Sequence, residues 1–246
     1  MHLAPFQWLI LALAAVIIGV SKTGIPGLGI LAMTVVALVI PAKESTGLIL
    51  PMLIVGDICS VAYYRHHASW GYIIRLAPWA VLGVLLGTVA LGRLDNAQIR
   101  PMIGGIVLAL VICNFGLMRR PELRETLSKS LLLAAAVGVL AGFTTMVANA
   151  AGPIMIIYLL AMGLPKNVFL GTSAWYFLIL NLFKVPFSAG LGLITLSSLT
   201  FNLILVPGIL FGAWLGVHFA KRLPEKTFAL VAQVLAAAAA VKLLVG

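Results

Sequence analysis

Four ionisable residues other than histidine lie within the apolar stretches of this sequence: Lys22, Asp57, Lys184 and, near the end of the chain, Lys242. A charge at the centre of a membrane helix costs roughly 3 kcal/mol on insertion scales, so such residues are rare and usually functional. Lysine supplies positive charge to an anion, and aspartate supplies a counter-charge or a group that takes up a proton. This set therefore indicates chemistry on a small anion.

Each of these side chains has more than one interpretation. Lys22 lies in an interrupted helix (GVSKTGIPGLGIL, 19–31), where it either contacts an anion or extends to the membrane interface. Lys184 lies about five residues from the end of its apolar run, and extension to the interface is preferred there. Asp57 is near the middle of its run and is too short to reach the interface. It either pairs with Lys22 or Lys184, or it couples transport to a proton, and both alternatives stay open.

Two helix breaks are the predicted binding elements, one at 19–31 and one at 147–153 (VANAAGP). A helix that restarts inside the membrane leaves backbone N–H groups free at its first turn, and these groups together with the helix dipole attract anions. Such irregular backbone is tolerated only where it is buried in protein or lines a cavity. We expect the breaks to face one another around Gly27 and Asn149. The alternative is that their glycines serve helix packing.

Hydroxyl and amide side chains near the breaks complete the predicted lining, although each taken singly also fits a hydrogen bond between packed helices. The predicted substrate-binding residues are Ser21, Lys22, Thr23, Gly24, Gly27, Gly29, Asn149, Ala150, Gly152, Thr172 and Ser173, with Thr144, Thr145 and Asn181 as further lining, and with Asp57 and Lys184 as coupling or buried-charge residues.

Composition places these residues in an integral membrane protein. The chain is 63% hydrophobic and 9% charged, with a mean hydropathy of +1.17, and apolar runs long enough to cross a bilayer recur throughout. The net charge of +10 is scattered over short loops, which argues against nucleic acid as a partner. Cys59 and Cys113 lie in apolar runs without ligand spacing, so no disulfide, metal or cofactor is expected.

The apolar runs form two similar halves. Each half has two short runs around a break and then three full-length runs: 6–20, 28–40, 46–64, 72–92 and 98–118, followed by 130–147, 151–163, 167–188, 193–220 and 226–245. Segments 16–33 and 139–156 correspond, as do 86–101 and 215–230. We therefore predict an all-α fold of two repeats, 1–118 and 130–246, joined by a cytoplasmic connector at 119–129.

The lysine and arginine distribution predicts how these repeats cross the membrane. If each broken segment goes in and comes back, either as a re-entrant hairpin or as two short crossings, one side collects ten loop cations and the other four. The ten are Arg65, Arg75, Arg119, Arg120, Arg124, Lys129, Lys166, Lys221, Arg222 and Lys226, and the four are Lys43, Arg93, Arg100 and Lys242. The positive-inside rule makes the first side cytoplasmic, so both termini face outward and the repeats are inverted.

Several features together resemble the TauE/SafE family of sulfite and organosulfonate exporters. They are the two-fold pattern, the run Gly24-Ile25-Pro26-Gly27-Leu28-Gly29 after Ser21-Lys22-Thr23, Pro51 in the second span, and the closing Arg-Leu-Pro-Glu step at 222–225. The resemblance covers essentially the whole chain. It implies a secondary transporter in the cytoplasmic membrane that exports sulfite or an organosulfonate such as sulfoacetate.

Three other functions are alternatives to an exporter. A passive anion channel would use the same breaks for selectivity, and a non-transporting assembly factor would have no need of Lys22 and Asp57 within the membrane. An intramembrane enzyme would need a nucleophile–base pair or a metal cluster, and the sequence pattern offers neither. The partners expected are a small anion and the lipid bilayer. Abundant GxxxG-like spacing is compatible with a homodimer, and the identity of the anion and the coupling ion stay open.

Overall fold

The computed structural model describes residues 4–37, 40, 42–93 and 130–245. In this part of the chain, nine α-helices account for the secondary structure together with one short 3₁₀ turn at Arg65–His67. The helices are α1 (Pro5–Thr23), α2 (Gly29–Ala37), α3 (Ala42–Tyr64), α4 (Trp70–Leu91), α5 (Leu131–Ala148), α6 (Ala151–Ala161), α7 (Lys166–Gly190), α8 (Leu196–Arg222) and α9 (Glu225–Val245).

The all-α membrane fold is confirmed. Among the described helices, six are long and apolar enough to cross a membrane, namely α1, α3, α4, α5, α7 and α8. The predicted short runs on either side of each break correspond to α1 and α2 in the first half and to α5 and α6 in the second. The predicted run 98–118, the connector 119–129 and Cys113 lie outside the described residues.

Helix α1 is longer than the predicted run 6–20, because it continues through Thr23. The last carbonyl groups of a helix lack partners within it and must find them elsewhere. Here α3 supplies them: Ser60 Oγ donates to the Lys22 carbonyl at 2.8 Å, and Tyr64 Oη donates to the Thr23 carbonyl at 2.9 Å. These two bonds from a neighbouring helix stabilise the last turn of α1. The sequence pattern predicts an earlier end, because polar Ser and Lys residues follow the apolar run.

The second helix of each break is short. Helix α2 has 9 described residues and α6 has 11, which at 1.5 Å per residue is about 13 and 16 Å against ~30 Å of hydrocarbon. The described part of α2 and the whole of α6 are thus shorter than a bilayer crossing, whereas α1 and α5 are long enough for one. This geometry favours segments that enter and turn back.

Two tight helix pairs join the halves of the chain, α1 with α8 and α4 with α5. A Cβ atom at Gly19 of α1 would meet the Ile209 carbonyl oxygen of α8. Likewise, a Cβ atom at Gly142 of α5 would meet the Ala80 carbonyl oxygen of α4. Glycine at these positions lets the helix backbones touch, as is common in membrane interfaces.

These two interfaces correspond residue by residue. In the predicted alignment of the repeats Gly19 corresponds to Gly142, and the 86–101/215–230 alignment, continued towards its N-terminus, matches Ala80 to Ile209. The reciprocal contacts agree as well: Gly212 lies against the Val16 carbonyl, and Gly83 lies against the Val139 carbonyl. This correspondence supports the predicted duplication. The opposite orientation of the repeats in a membrane, and the boundaries 1–118 and 130–246, stay predictions.

The glycine contacts make a matched stability test. We expect Gly19→Ala and Gly142→Ala to lower the free energy of unfolding by similar amounts, about 1–3 kcal/mol, because each adds a methyl group where a carbonyl oxygen already lies. Thermal unfolding of the purified protein in detergent would measure this. Gly71→Ala and Gly190→Ala are the controls, since a Cβ at either meets nothing within 4 Å. Equal stability of the Gly142→Ala and Gly190→Ala proteins would contradict the close packing of α5 against α4 at Gly142.

Candidate functional site

A cavity lies between the two helix breaks and is lined by residues of α1, α2, α3, α5, α6 and α7. Its volume is about 80 Å³, against the roughly 10–15 Å³ that one water molecule needs on the same measure. An anion of a few non-hydrogen atoms therefore fits. The predicted site residues that line it are Ser21, Lys22, Gly27, Gly29, Asp57, Asn149, Gly152 and Ser173, together with Thr145 and Asn181.

Lys22 and Asp57 form an ion pair in the cavity wall. Lys22 Nζ lies 2.7 Å from Asp57 Oδ1, and 4.4 Å from the centre of the Phe177 ring. The Asp57 side chain is fully buried and that of Lys22 is 14% exposed. Of the alternatives that the sequence leaves open for Asp57, the structure shows the pairing with Lys22. Extension of Lys22 to the membrane interface is excluded by the same contact, because the ammonium group points to α3 and α7.

The preferred interpretation of Lys184 is wrong. Its side chain is fully buried and does not extend to an interface. Instead its Nζ donates to Asn149 Oδ1 at 2.6 Å, to Thr145 Oγ1 at 3.1 Å and to Asn181 Oδ1 at 3.3 Å. The three acceptors explain the difference, because they match the three N–H donors of an ammonium group inside the protein.

Two asparagine side chains connect these charges to the backbone. Asn181 accepts from Lys184 and donates from Nδ2 to Asp57 Oδ2 at 2.7 Å, so it bridges Lys184 and the ion pair. Asn149 accepts from Lys184 and donates from Nδ2 to the Thr46 carbonyl of α3 at 3.1 Å. One hydrogen-bonded network therefore runs from the first break through α3 and α7 to the second break.

Both breaks contain a residue with left-handed backbone geometry. Gly27 has φ 101° in the first, and Asn149 has φ 51° at the C-terminus of α5 in the second. Asparagine adopts this conformation more readily than most residues with a side chain, and it commonly ends a helix in this way. The second break therefore turns with fewer glycines than the first.

The sequence predicts free backbone N–H groups at both breaks, but the two breaks differ in this respect. In the first break the Gly29 N–H already donates to Ser21 Oγ at 2.8 Å, so this amide is occupied. In the second break, among the described residues, no group accepts from the N–H groups of Ala151 and Gly152, and Pro153 has no N–H. A Cβ at Gly152 would meet nothing within 4 Å, so this residue borders open space. The available backbone donors are those of α6.

Five of the predicted lining residues do not line the cavity: Thr23, Gly24, Thr144, Ala150 and Thr172. Thr144 is buried and donates to the Leu140 and Ala141 carbonyls of its own helix. Thr23 is buried and donates to the Gly19 and Ala213 carbonyls, and Gly24 lies against the backbone of Gly216. Ala150 is buried in the turn itself. Thr172 is buried too, and its hydroxyl accepts from the Ser69 N–H at 2.9 Å. Thr23 and Gly24 serve the packing of α1 with α8, and Thr172 serves that of α7 with the start of α4. None of these off-cavity positions has a place in the proposals below.

Phe177 is a cavity residue that the sequence interpretation missed. Ser173, Phe177, Asn181 and Lys184 are spaced by four, four and three residues, so they share one face of α7. This face forms the cavity wall and the network behind it. The helical spacing from Ser173 to Lys184 was the sequence signal that could have identified Phe177. It also indicates that Lys184 shares the face of the predicted site residues, which argues against its extension to the interface.

A family model for the sulfite exporter TauE/SafE matches residues 11–243 of the chain. The chain belongs to the TauE/SafE family. No curated protein and no solved structure matches it. Membership of the TauE/SafE family implies a multi-pass membrane transporter that exports sulfur-containing anions, and the resemblance noted from the sequence is confirmed. The TauE/SafE family is one of transporters rather than enzymes.

The ion pair in this TauE/SafE protein makes a testable contribution to stability. We expect Lys22→Met and Asp57→Asn each to lower the free energy of unfolding by about 3–5 kcal/mol, because each leaves the other charge buried without its partner. The double variant should recover most of that loss. Denaturation in detergent measures the coupling, with exposed Lys226→Met as the control. Strictly additive losses would contradict a direct pair.

Proposed function

We propose that the protein is a secondary transporter that exports sulfite or a small organosulfonate from the cytoplasm, and that the anion binds in the cavity between the two breaks. The observation that carries the proposal is the shared cavity itself. It brings the partly exposed Lys22 and the unoccupied N–H groups at the start of α6 to one small cavity. In this role Lys22 supplies charge, and the α6 amides supply directed donors.

The chemistry of the wall suits a sulfur oxyanion. Sulfite and sulfonate groups present three oxygen atoms on one face, and each accepts hydrogen bonds. Ammonium and backbone N–H donors are the groups that bind such oxygens well in a site with little water. Ser173 adds a hydroxyl on the α7 side of the cavity. Gly152 has no side chain, so the anion approaches the amide closely.

The proposed location is the cytoplasmic membrane, with both termini outside. Support comes from the ten-to-four distribution of loop cations and from the short lengths of α2 and α6. Export of an anion in this orientation is aided by an inside-negative potential, by about 2.3 kcal/mol per elementary charge and 100 mV. Asp57 is the proposed coupling group, because an anion that engages Lys22 removes the counter-charge of this carboxylate.

Flux measured in proteoliposomes tests the proposed function. Sulfite or ethanesulfonate is loaded inside, and its release is followed with and without a pH gradient and a membrane potential. A secondary transporter should show saturable flux that responds to one of these gradients. Flux that does not saturate, reaches channel-like rates and does not respond to a pH gradient would favour the passive channel. Absence of both flux and binding would favour an assembly factor and overturn the proposal.

Gly152 offers the most specific test of the site. We expect Gly152→Ala to weaken anion binding by roughly tenfold, because the new methyl group projects into the open space beside the α6 amides and keeps the anion from them. The thermal stability should stay unchanged, since a Cβ there meets no atom within 4 Å. Titration of the purified protein with ethanesulfonate gives the affinity.

Gly190→Ala is the matched control for this substitution. It adds the same methyl group at another helical glycine with nothing within 4 Å, but far along α7 from the cavity-lining residues. It should leave both stability and affinity unchanged. Unaltered anion affinity in the Gly152→Ala protein would mean that the anion does not bind at the start of α6.

A further inference from the structure

The charges around the cavity do not cancel. In the described part of the chain, the ionisable side chains that line the cavity are Lys22 and Asp57, and Lys184 contacts three lining residues from behind. Lys22 is matched by Asp57 at 2.7 Å. Two lysines and one aspartate therefore leave one positive charge at this cavity.

The hydrogen bonds of Lys184 are satisfied, but its charge is not. Asn149 and Asn181 each have their Nδ2 group engaged elsewhere, on the Thr46 carbonyl and on Asp57 Oδ2. These Nδ2 bonds fix the orientation of both amide groups, so that their Oδ1 atoms face Lys184. Amide oxygens accept and do not donate, so this arrangement suits an ammonium ion. Its direct partners are neutral, and the nearest carboxylate is bound through Asn181.

The rest of the cavity wall offers little to a second charge. Much of it is formed by Met33 of α2, Leu53 of α3, Met155 of α6 and Phe169, Leu170 and Phe177 of α7. A second anionic group of the same ligand would lie against these apolar side chains without a counter-ion. Desolvating a charge without a partner is strongly unfavourable. The wall instead accommodates an uncharged, apolar substituent.

We propose that the cavity selects for monovalent anions with an apolar substituent and against dianions. The basis is charge matching. One anionic group neutralises the single unpaired positive charge of the site, whereas a second anionic group has no positive charge to neutralise it. This inference rests on the proposed function, since it specifies which anions that site accepts. The preferred class is a small alkanesulfonate, and sulfite would bind as its monoanion, hydrogensulfite. Sulfoacetate, which carries a carboxylate beside its sulfonate, is disfavoured. A disulfonate or sulfate of similar size is disfavoured.

Binding of matched ligands to the full-length wild-type protein is the primary test. Propane-1-sulfonate and propane-1,3-disulfonate have the same carbon chain and differ by one anionic group, and calorimetric titration in detergent measures both. We expect the monosulfonate to bind at least about tenfold more tightly. Equal or tighter binding of the disulfonate overturns the inference and leaves the proposed function in place. Absence of binding by both overturns the proposed function, and this inference with it.

Two substitutions change the charge of the site in opposite directions. Asp57→Asn adds one positive charge, so the preference should shift towards the disulfonate by roughly tenfold or more. Lys184→Gln removes one, so propane-1-sulfonate affinity should fall by a similar factor while an amide stays near Asn149. Lys226→Gln, an exposed cation outside the cavity, should change neither affinity.

If the Asp57→Asn protein does not fold, the measurements on the Lys184→Gln and wild-type proteins test the selection for monovalent anions. Unchanged monosulfonate affinity in a folded Lys184→Gln protein would overturn the role of the unpaired charge. An unchanged preference in a folded Asp57→Asn protein would do the same. Circular dichroism and size-exclusion chromatography establish folding before each titration.

Discussion

The ion pair between Lys22 and Asp57 is the contact on which the centre of this protein depends. Hydrocarbon does not solvate charge, so a lysine and an aspartate at this position persist only when each has a partner. Their 2.7 Å contact fixes the end of α1 against α3, where Ser60 and Tyr64 also bind the last α1 carbonyls. The first break therefore begins at a defined place, and the cavity forms beside it.

Close helix packing makes this arrangement rigid. Helix α1 lies against α8, and α5 lies against α4, through glycines that leave no room for a methyl group. These pairs hold the breaks from outside, while α3 and α7 supply the charged and amide side chains from the middle. Small residues thus determine where the helices lie, and a few polar residues determine what they enclose.

The helices were predictable from sequence because each apolar run is long and is interrupted by Gly, Pro or Asn. The two breaks and half of the cavity-lining residues followed from the same pattern, and pairing with Lys22 was one of the alternatives that it left open for Asp57. Lys184 was misjudged because its distance from the span end says nothing about the acceptors that Asn149 and Asn181 present from other elements. Thr23 and Thr172 likewise look like ligands in sequence, and only their partners on α8 and before α4 reveal packing roles.

The position of Asn149 bears on how the chain could divide into moving parts. Its amide holds the Thr46 carbonyl of α3 with one end and Lys184 of α7 with the other. Any separation of α3 from α7 breaks one of these bonds, together with the bond from Asn181 to Asp57. Whichever bond survives assigns the second break to one rigid body or the other. Asn149 would thereby determine which of the two moving parts carries the second break, and its hydrogen bonds would contribute to the barrier between conformations.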